Sequence, residues 1–214
     1  MNLPRQDAGL SATELVVLVC VLAVLAAALL PLIAARREEA RIVRCRNNLN
    51  QLVKGMATYW NEHAHSHSLP CPLGRGRNPG TYSGAEWLAS LYWTGIVPDP
   101  GVFLCPSSGD ANEDGVDIGA ERAAPTFGSR TVSYAGVHYS SPFTGAMMEL
   151  SFQDFPFHSS TTPMASDDTQ GEVNHSGGMA VLFFDAHVEW RTSAELDPTR
   201  AVGQKGVLLE PLAN

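Results

Sequence analysis

Gly9-Leu10-Ser11-Ala12-Thr13-Glu14-Leu15-Val16-Val17 opens the stretch on which the fold turns, because it sets one carboxylate at the mouth of an otherwise uncharged apolar run. That run, Leu15 to Ala35, contains 21 residues and no Asp, Glu, Lys or Arg. At about 1.5 Å per residue, a helix of this length covers roughly 31 Å, the thickness of a hydrocarbon core. A Glu at the edge of such a segment is expensive unless paired, which marks Glu14 as a functional residue. Pro31 removes one backbone hydrogen bond from the apolar half and predicts a kink there.

Beyond the run the helical pattern continues. Ile42, Cys45, Leu49, Leu52, Met56 and Tyr59 recur at steps of three and four, while Arg44, Arg46, Asn47, Asn50 and Lys54 take the other faces. The spacing predicts an amphipathic helix over residues 36–63 laid on a core. It ends near His63, ahead of Ser68, Pro70, Pro72 and Gly74. Some 150 residues follow, enough for one globular domain.

The opening stretch resembles the cleavage and assembly signal of type IV prepilins and type II secretion pseudopilins. The resemblance implies a leader, residues 1–9, cut after Gly9 by a membrane peptidase that also methylates the new amine of Leu10. Residues 10–35 are then a transmembrane assembly helix. Glu14 and Pro31 fall where that family has a Glu and a Pro, whereas Leu10 stands where Phe is commoner. Further matches extend along the chain. Cys45-Arg46-Asn47-Asn48-Leu49-Asn50-Gln51, Phe103-Leu104-Cys105-Pro106-Ser107, Ser133-Tyr134-Ala135-Gly136 and His175 followed after nine residues by Asp185-Ala186-His187 resemble, in order, the motifs of the prepilin-like family with a C-terminal H-X9-DG signature.

Ala186 departs from that signature. Met179 to Phe184 and Val188 to Arg191 read as two strands around a turn, and a Gly after Asp185 would supply the positive φ that such turns prefer. Ala at such a position costs on the order of 1 kcal/mol if the turn keeps its geometry. His175 and Asp185 flank the first strand; turn-stabilising hydrogen bonds are expected of them rather than catalysis, since no nucleophile motif such as G-x-S-x-G is present.

Charge divides the chain. Residues 1–60 carry seven Lys/Arg against four Asp/Glu, and residues 61–214 carry seven against eighteen, within a net charge of −8. The acidic globular part argues against nucleic acid as a partner. Arg36, Arg37, Arg41, Arg44 and Arg46 follow the apolar run, and by the positive-inside rule alone that side would stay cytoplasmic. The cleavage signal points the other way and is given precedence.

Among the four cysteines, Cys20 reads as an apolar filler of the membrane run. Cys45, Cys71 and Cys105 would meet an oxidising space after export, where disulfides persist. Cys45 lies on the apolar stripe and Cys105 begins a Pro-bounded turn; the family resemblance pairs these two by co-occurrence. Cys71 with Cys105 is the competing bridge, and the choice stays open.

Two further patterns concern metals. Asp110, Asn112, Asp114 and Glu121 fit the calcium-loop template D-x-[DN]-x-[DN]-G-x5-E, although Pro106 and Pro125 leave no room for the helices of an EF-hand. An acidic surface loop is the plainer expectation, with Ca2+ the one cofactor suggested. His63, His65 and His67 alternate on an extended stretch and could converge on Zn or Cu, against a solvated connector. Residues 140–169, with Phe152, Phe155 and Phe157, carry no readable period.

Together these features predict an α+β, pilin-like fold: a long N-terminal helix, a small antiparallel sheet and irregular loops in a globular domain over residues 64–214. The resemblance implies a non-enzymatic subunit of a type II secretion or type IV pilus-like filament. Its partners would be the prepilin peptidase/methylase, other pilin-like subunits and the inner-membrane assembly platform, with the globular domain outside the inner membrane. A minor pilin or surface-binding module, or a membrane-anchored metal enzyme built on His63, His65 and His67, are the alternatives.

Overall fold

The computed structural model describes residues 11–62, 84–119, 127–128, 130–137, 160–167, 174–175, 177–196, 208–209 and 212–213. The chain divides into two compact units, Met1–Ala40 and Arg41–Asn214.

In the first unit the helix α1, which spans Ala12–Glu62, begins on a reciprocal cap. The Ser11 amide and hydroxyl both donate to Glu14 Oε2 at 2.9 Å, and the Glu14 amide donates back to Ser11 Oγ at 3.3 Å. This is the S-x-x-E capping box, which satisfies donors that the first helical turn leaves open. Pro31 lies inside the helix. Every large apolar side chain from Leu15 to Ile33 is exposed, and the helix is long and apolar enough to cross a membrane. Arg36 and Glu39 form an exposed ion pair one turn apart at 2.8 Å.

In the second unit the continuation of α1 buries Cys45, Asn48, Leu49, Leu52, Met56 and Tyr59, the stripe expected from the three-and-four spacing, with Ile42 half-buried. The helix α2, Gly84–Trp93, is buried over all of Gly84–Leu91. A five-stranded antiparallel sheet has the order β4-β3-β2-β1-β5, with β1 Tyr134–Val137, β2 Pro163–Asp167, β3 Gly178–Phe183, β4 Val188–Thr192 and β5 Leu212–Ala213. β1, β2 and β3 are buried at every position, so both faces of the sheet centre are covered, while β4 is only partly covered. The α+β class is therefore as expected.

β3 and β4 form the anticipated hairpin, in register from Gly178↔Thr192 to Leu182↔Val188. Its loop is three residues long: Phe183 N–H donates to His187 O at 3.0 Å, and Ala186 N–H donates to Phe183 O at 3.0 Å. Ala186 has φ 72°. A turn closed by one left-handed residue is the usual three-residue hairpin, and its last position prefers Gly.

Candidate functional site

Four polar side chains from four parts of the second unit converge inside the core. Cys45 comes from the buried stripe of α1, Cys105 from the loop after the short 3-10 helix Pro100–Phe103, Asp167 from the end of β2, and His175 from just before β3. None is more than 2 % exposed. Their ligand-type atoms all lie within 4.8 Å of one another. Cys45 Sγ donates to Asp167 Oδ1 at 2.6 Å, Cys105 Sγ lies 3.3 Å from His175 Nε2, and Asp167 Oδ2 is 3.8 Å from the same nitrogen.

Neighbouring structure fixes each member. Asn48, one turn after Cys45, donates from Nδ2 to Leu104 O at 2.8 Å and so holds the segment that presents Cys105. Ser133 N–H donates to Phe103 O at 2.8 Å, the Tyr134 hydroxyl donates to Leu104 O at 3.3 Å, and Ser108 and Ser133 share a hydroxyl contact at 2.9 Å. The segments Phe103–Ser107 and Ser133–Gly136 are thus stitched side by side. Ala180 N–H donates to Asp167 Oδ2 at 3.2 Å, and the indole of Trp190 meets the His175 ring edge-to-face at 5.7 Å.

The electrostatics are strongly perturbed. Burial, then the hydrogen bond with Cys105 and the Asp167 charge, push the Cys45 thiol well above its ordinary value. Cys105 moves down to about 5, because the hydrogen bond from Cys45 outweighs desolvation and His175 adds to it. Asp167 is pushed up to about 7, chiefly by burial and then by the Cys105 charge. Burial likewise raises the Tyr134 phenol. Isolated ionisable groups avoid such positions, and a cluster of them in a core requires mutual compensation.

Cys45 and Cys105, one of the two candidate disulfide pairs, lie in the same buried cluster, where neither sulfur is in a disulfide. His175 is not joined to Asp185. Asp185 instead serves the hairpin turn, accepting the His187 amide at 3.2 Å and pairing with His187 Nδ1. His175 has left the turn for the core, which its sequence position beside a strand did not signal.

In the acidic loop, Asn112 is 3 % exposed and spends its Nδ2 on Pro100 O at 2.8 Å, while Gly115 and Asp117 amides close the turn on Asn112 O. Glu113 and Asp114 have φ 43° and 54° beside Gly115 at 93°. Asp110 and Asp114 lie in this loop, and Glu121 lies outside the described residues. Gly9, Leu10, Cys71, His63, His65, His67, Phe152, Phe155 and Phe157 also lie outside them.

Asp167 is the member that sequence reasoning missed. Compared with protein-family models, with curated proteins and with solved structures, the chain gives no significant match.

Proposed function

We propose that this chain is a structural subunit of a type II secretion or type IV pilus-like filament, cleaved after Gly9, methylated at Leu10 and anchored in the inner membrane with Arg41–Asn214 on the outer side. The observation that carries the reading is the apolar surface of α1: exposed from Leu15 to Ile33, with Glu14 as the one charged side chain between Gly9 and Arg36. Such a surface calls for lipid or for like helices to cover it.

In the single chain Ser11 occupies the Glu14 carboxylate. After cleavage, the new amine of Leu10 on one subunit can replace that hydroxyl on Glu14 of the next, where opposite charges relieve each other's desolvation in a dry bundle. Helix-to-helix packing of this head-to-tail kind propagates a filament rather than a closed ring. The reading assigns the chain an assembly role rather than a catalytic one, with the peptidase/methylase, sister subunits and the membrane platform as partners.

The test is intact-mass and N-terminal peptide mass spectrometry on protein from its native membrane. A chain starting at methylated Leu10 supports processing and assembly. A chain starting at Met1 overturns the reading and leaves a signal-anchored domain.

A further inference from the structure

We propose that Cys45, Cys105, Asp167 and His175 are the four ligands of a structural site for a zinc-class divalent cation. The proposal concerns Arg41–Asn214 alone and does not depend on the filament reading.

Geometry comes first. Zinc bound tetrahedrally at about 2.3 Å to sulfur and about 2.0–2.2 Å to nitrogen or oxygen sets its ligand atoms roughly 3.4–3.8 Å apart. Here Cys105 Sγ to His175 Nε2 is 3.3 Å and His175 Nε2 to Asp167 Oδ2 is 3.8 Å. Cys45 Sγ and Asp167 Oδ1, at 2.6 Å, need only part by about 1 Å. The ligand atoms of four side chains drawn from α1, a loop and two strand ends already lie within 4.8 Å of one another.

The donor set selects the ion. Two sulfurs, an imidazole nitrogen and a carboxylate suit zinc, whereas calcium and magnesium seek oxygen alone. Charge agrees: two thiolates and a carboxylate would be untenable together in a core, and a dication between them offsets most of that charge. Both sulfurs ligate as thiolates, with any proton that Cys45 or Cys105 still carries passing to solvent, and His175 ligates through neutral Nε2. The partners behind the ligands are in place, with Ala180 N–H on Asp167 and Trp190 against His175, which hold both donors in orientation. Four protein ligands in a buried site leave no position for a reacting water, so the role is structural. The ion would fasten α1 to the sheet.

The rival is a Cys45–Cys105 disulfide, which uses the same sulfurs and leaves Asp167 and His175 as a buried pair. The experiment takes the full chain, extracted in detergent without chelator or reductant, and measures metal content together with thiol status. One zinc per chain is expected, with Cys45 and Cys105 alkylated only after chelation. Exchange with cobalt should give the intense visible bands of a tetrahedral site and a near-ultraviolet thiolate-to-cobalt band, a readout that needs no variant. Asp167→Asn and His175→Ala should each lower zinc retention at least tenfold, while His187→Ala, on the surface hairpin, retains it. A metal-free chain with Cys45 and Cys105 in one disulfide-linked peptide pair overturns the proposal, as does undiminished zinc in His175→Ala. Neither result bears on the start at Leu10.

Discussion

The Cys45 thiol donates to the Asp167 carboxylate at 2.6 Å across 122 residues of sequence. It is the contact by which the buried face of α1 grips the end of β2. Cys45→Ala removes the donor and leaves a buried carboxylate oxygen without its closest partner, so it should destabilise the chain by about 2–3 kcal/mol. Urea unfolding of the detergent-solubilised full chain checks this. A shift of the midpoint worth less than about 0.5 kcal/mol would mean that the contact contributes nothing net.

Ala186 sits at φ 72° in the β3–β4 loop. Ala186→Gly relieves the left-handed strain of about 1 kcal/mol but gives back roughly half of it in unfolded-state entropy, so a net gain of roughly 0.5 kcal/mol is expected. Thermal unfolding of the pair of proteins measures it, and a destabilised Gly variant would contradict the strain argument.

Gly136 on β1 has no room for a side chain. A Cβ there would lie 2.5 Å from Trp87 Nε1 and 2.7 Å from Gly84 O, on the buried start of α2. Gly136→Ala must push helix and strand apart, and overpacking of this kind costs about 1–3 kcal/mol. Loss of solubility or a lowered unfolding midpoint is the expected outcome; wild-type stability would show that α2 yields freely.

Legibility followed periodicity. The stripe from Cys45 to Tyr59 stands out in sequence because one face of the helix is buried and the other is not, and the β3–β4 hairpin because two short strand-like runs flank a tight turn. α2 and β2 are buried all round, so Gly84, Glu86 and Ser90 interrupt any helical stripe and Pro163–Asp167 shows no alternation. Asp167 disappeared with its strand. Cys45, Cys105 and His175 were each singled out within a motif, yet nothing local says that three motifs spaced over 131 positions meet at one point. The Ser11–Glu14 cap was legible as S-x-x-E, but the membrane context drew Glu14 toward a purely intermolecular role.

The cap made by Glu14 and the proposed pairing with a neighbouring amine can be separated by charge. Glu14→Gln keeps a side chain able to complete the capping box with Ser11 but has no charge to offer a neighbouring amine. It should be cleaved normally and fail to enter filaments, as should Glu14→Ala, which also loses about 1 kcal/mol of cap. Filament incorporation of Glu14→Gln at the wild-type level would falsify charge pairing and leave capping as the residue's role.

The β3–β4 end of the sheet should govern part of the acid response. Desolvation opposes ionisation of Asp185, but the side-chain and amide bonds from His187 outweigh it and hold the carboxyl below its ordinary 3.8. Glu195, which accepts the amide of Thr192 at 2.8 Å and its hydroxyl at 2.9 Å, is likewise held below 4.5. Both acids are depressed in the folded state, so their stabilisation is fully present above the unfolded values and is lost as pH falls through the folded ones. Wild type should therefore lose unfolding midpoint below about pH 4.5, whereas Asp185→Asn with Glu195→Gln starts lower at neutral pH and loses less on acidification. Melting curves at neutral and acid pH compare the slopes. Parallel acid limbs in the two proteins would place the pH response outside this hairpin.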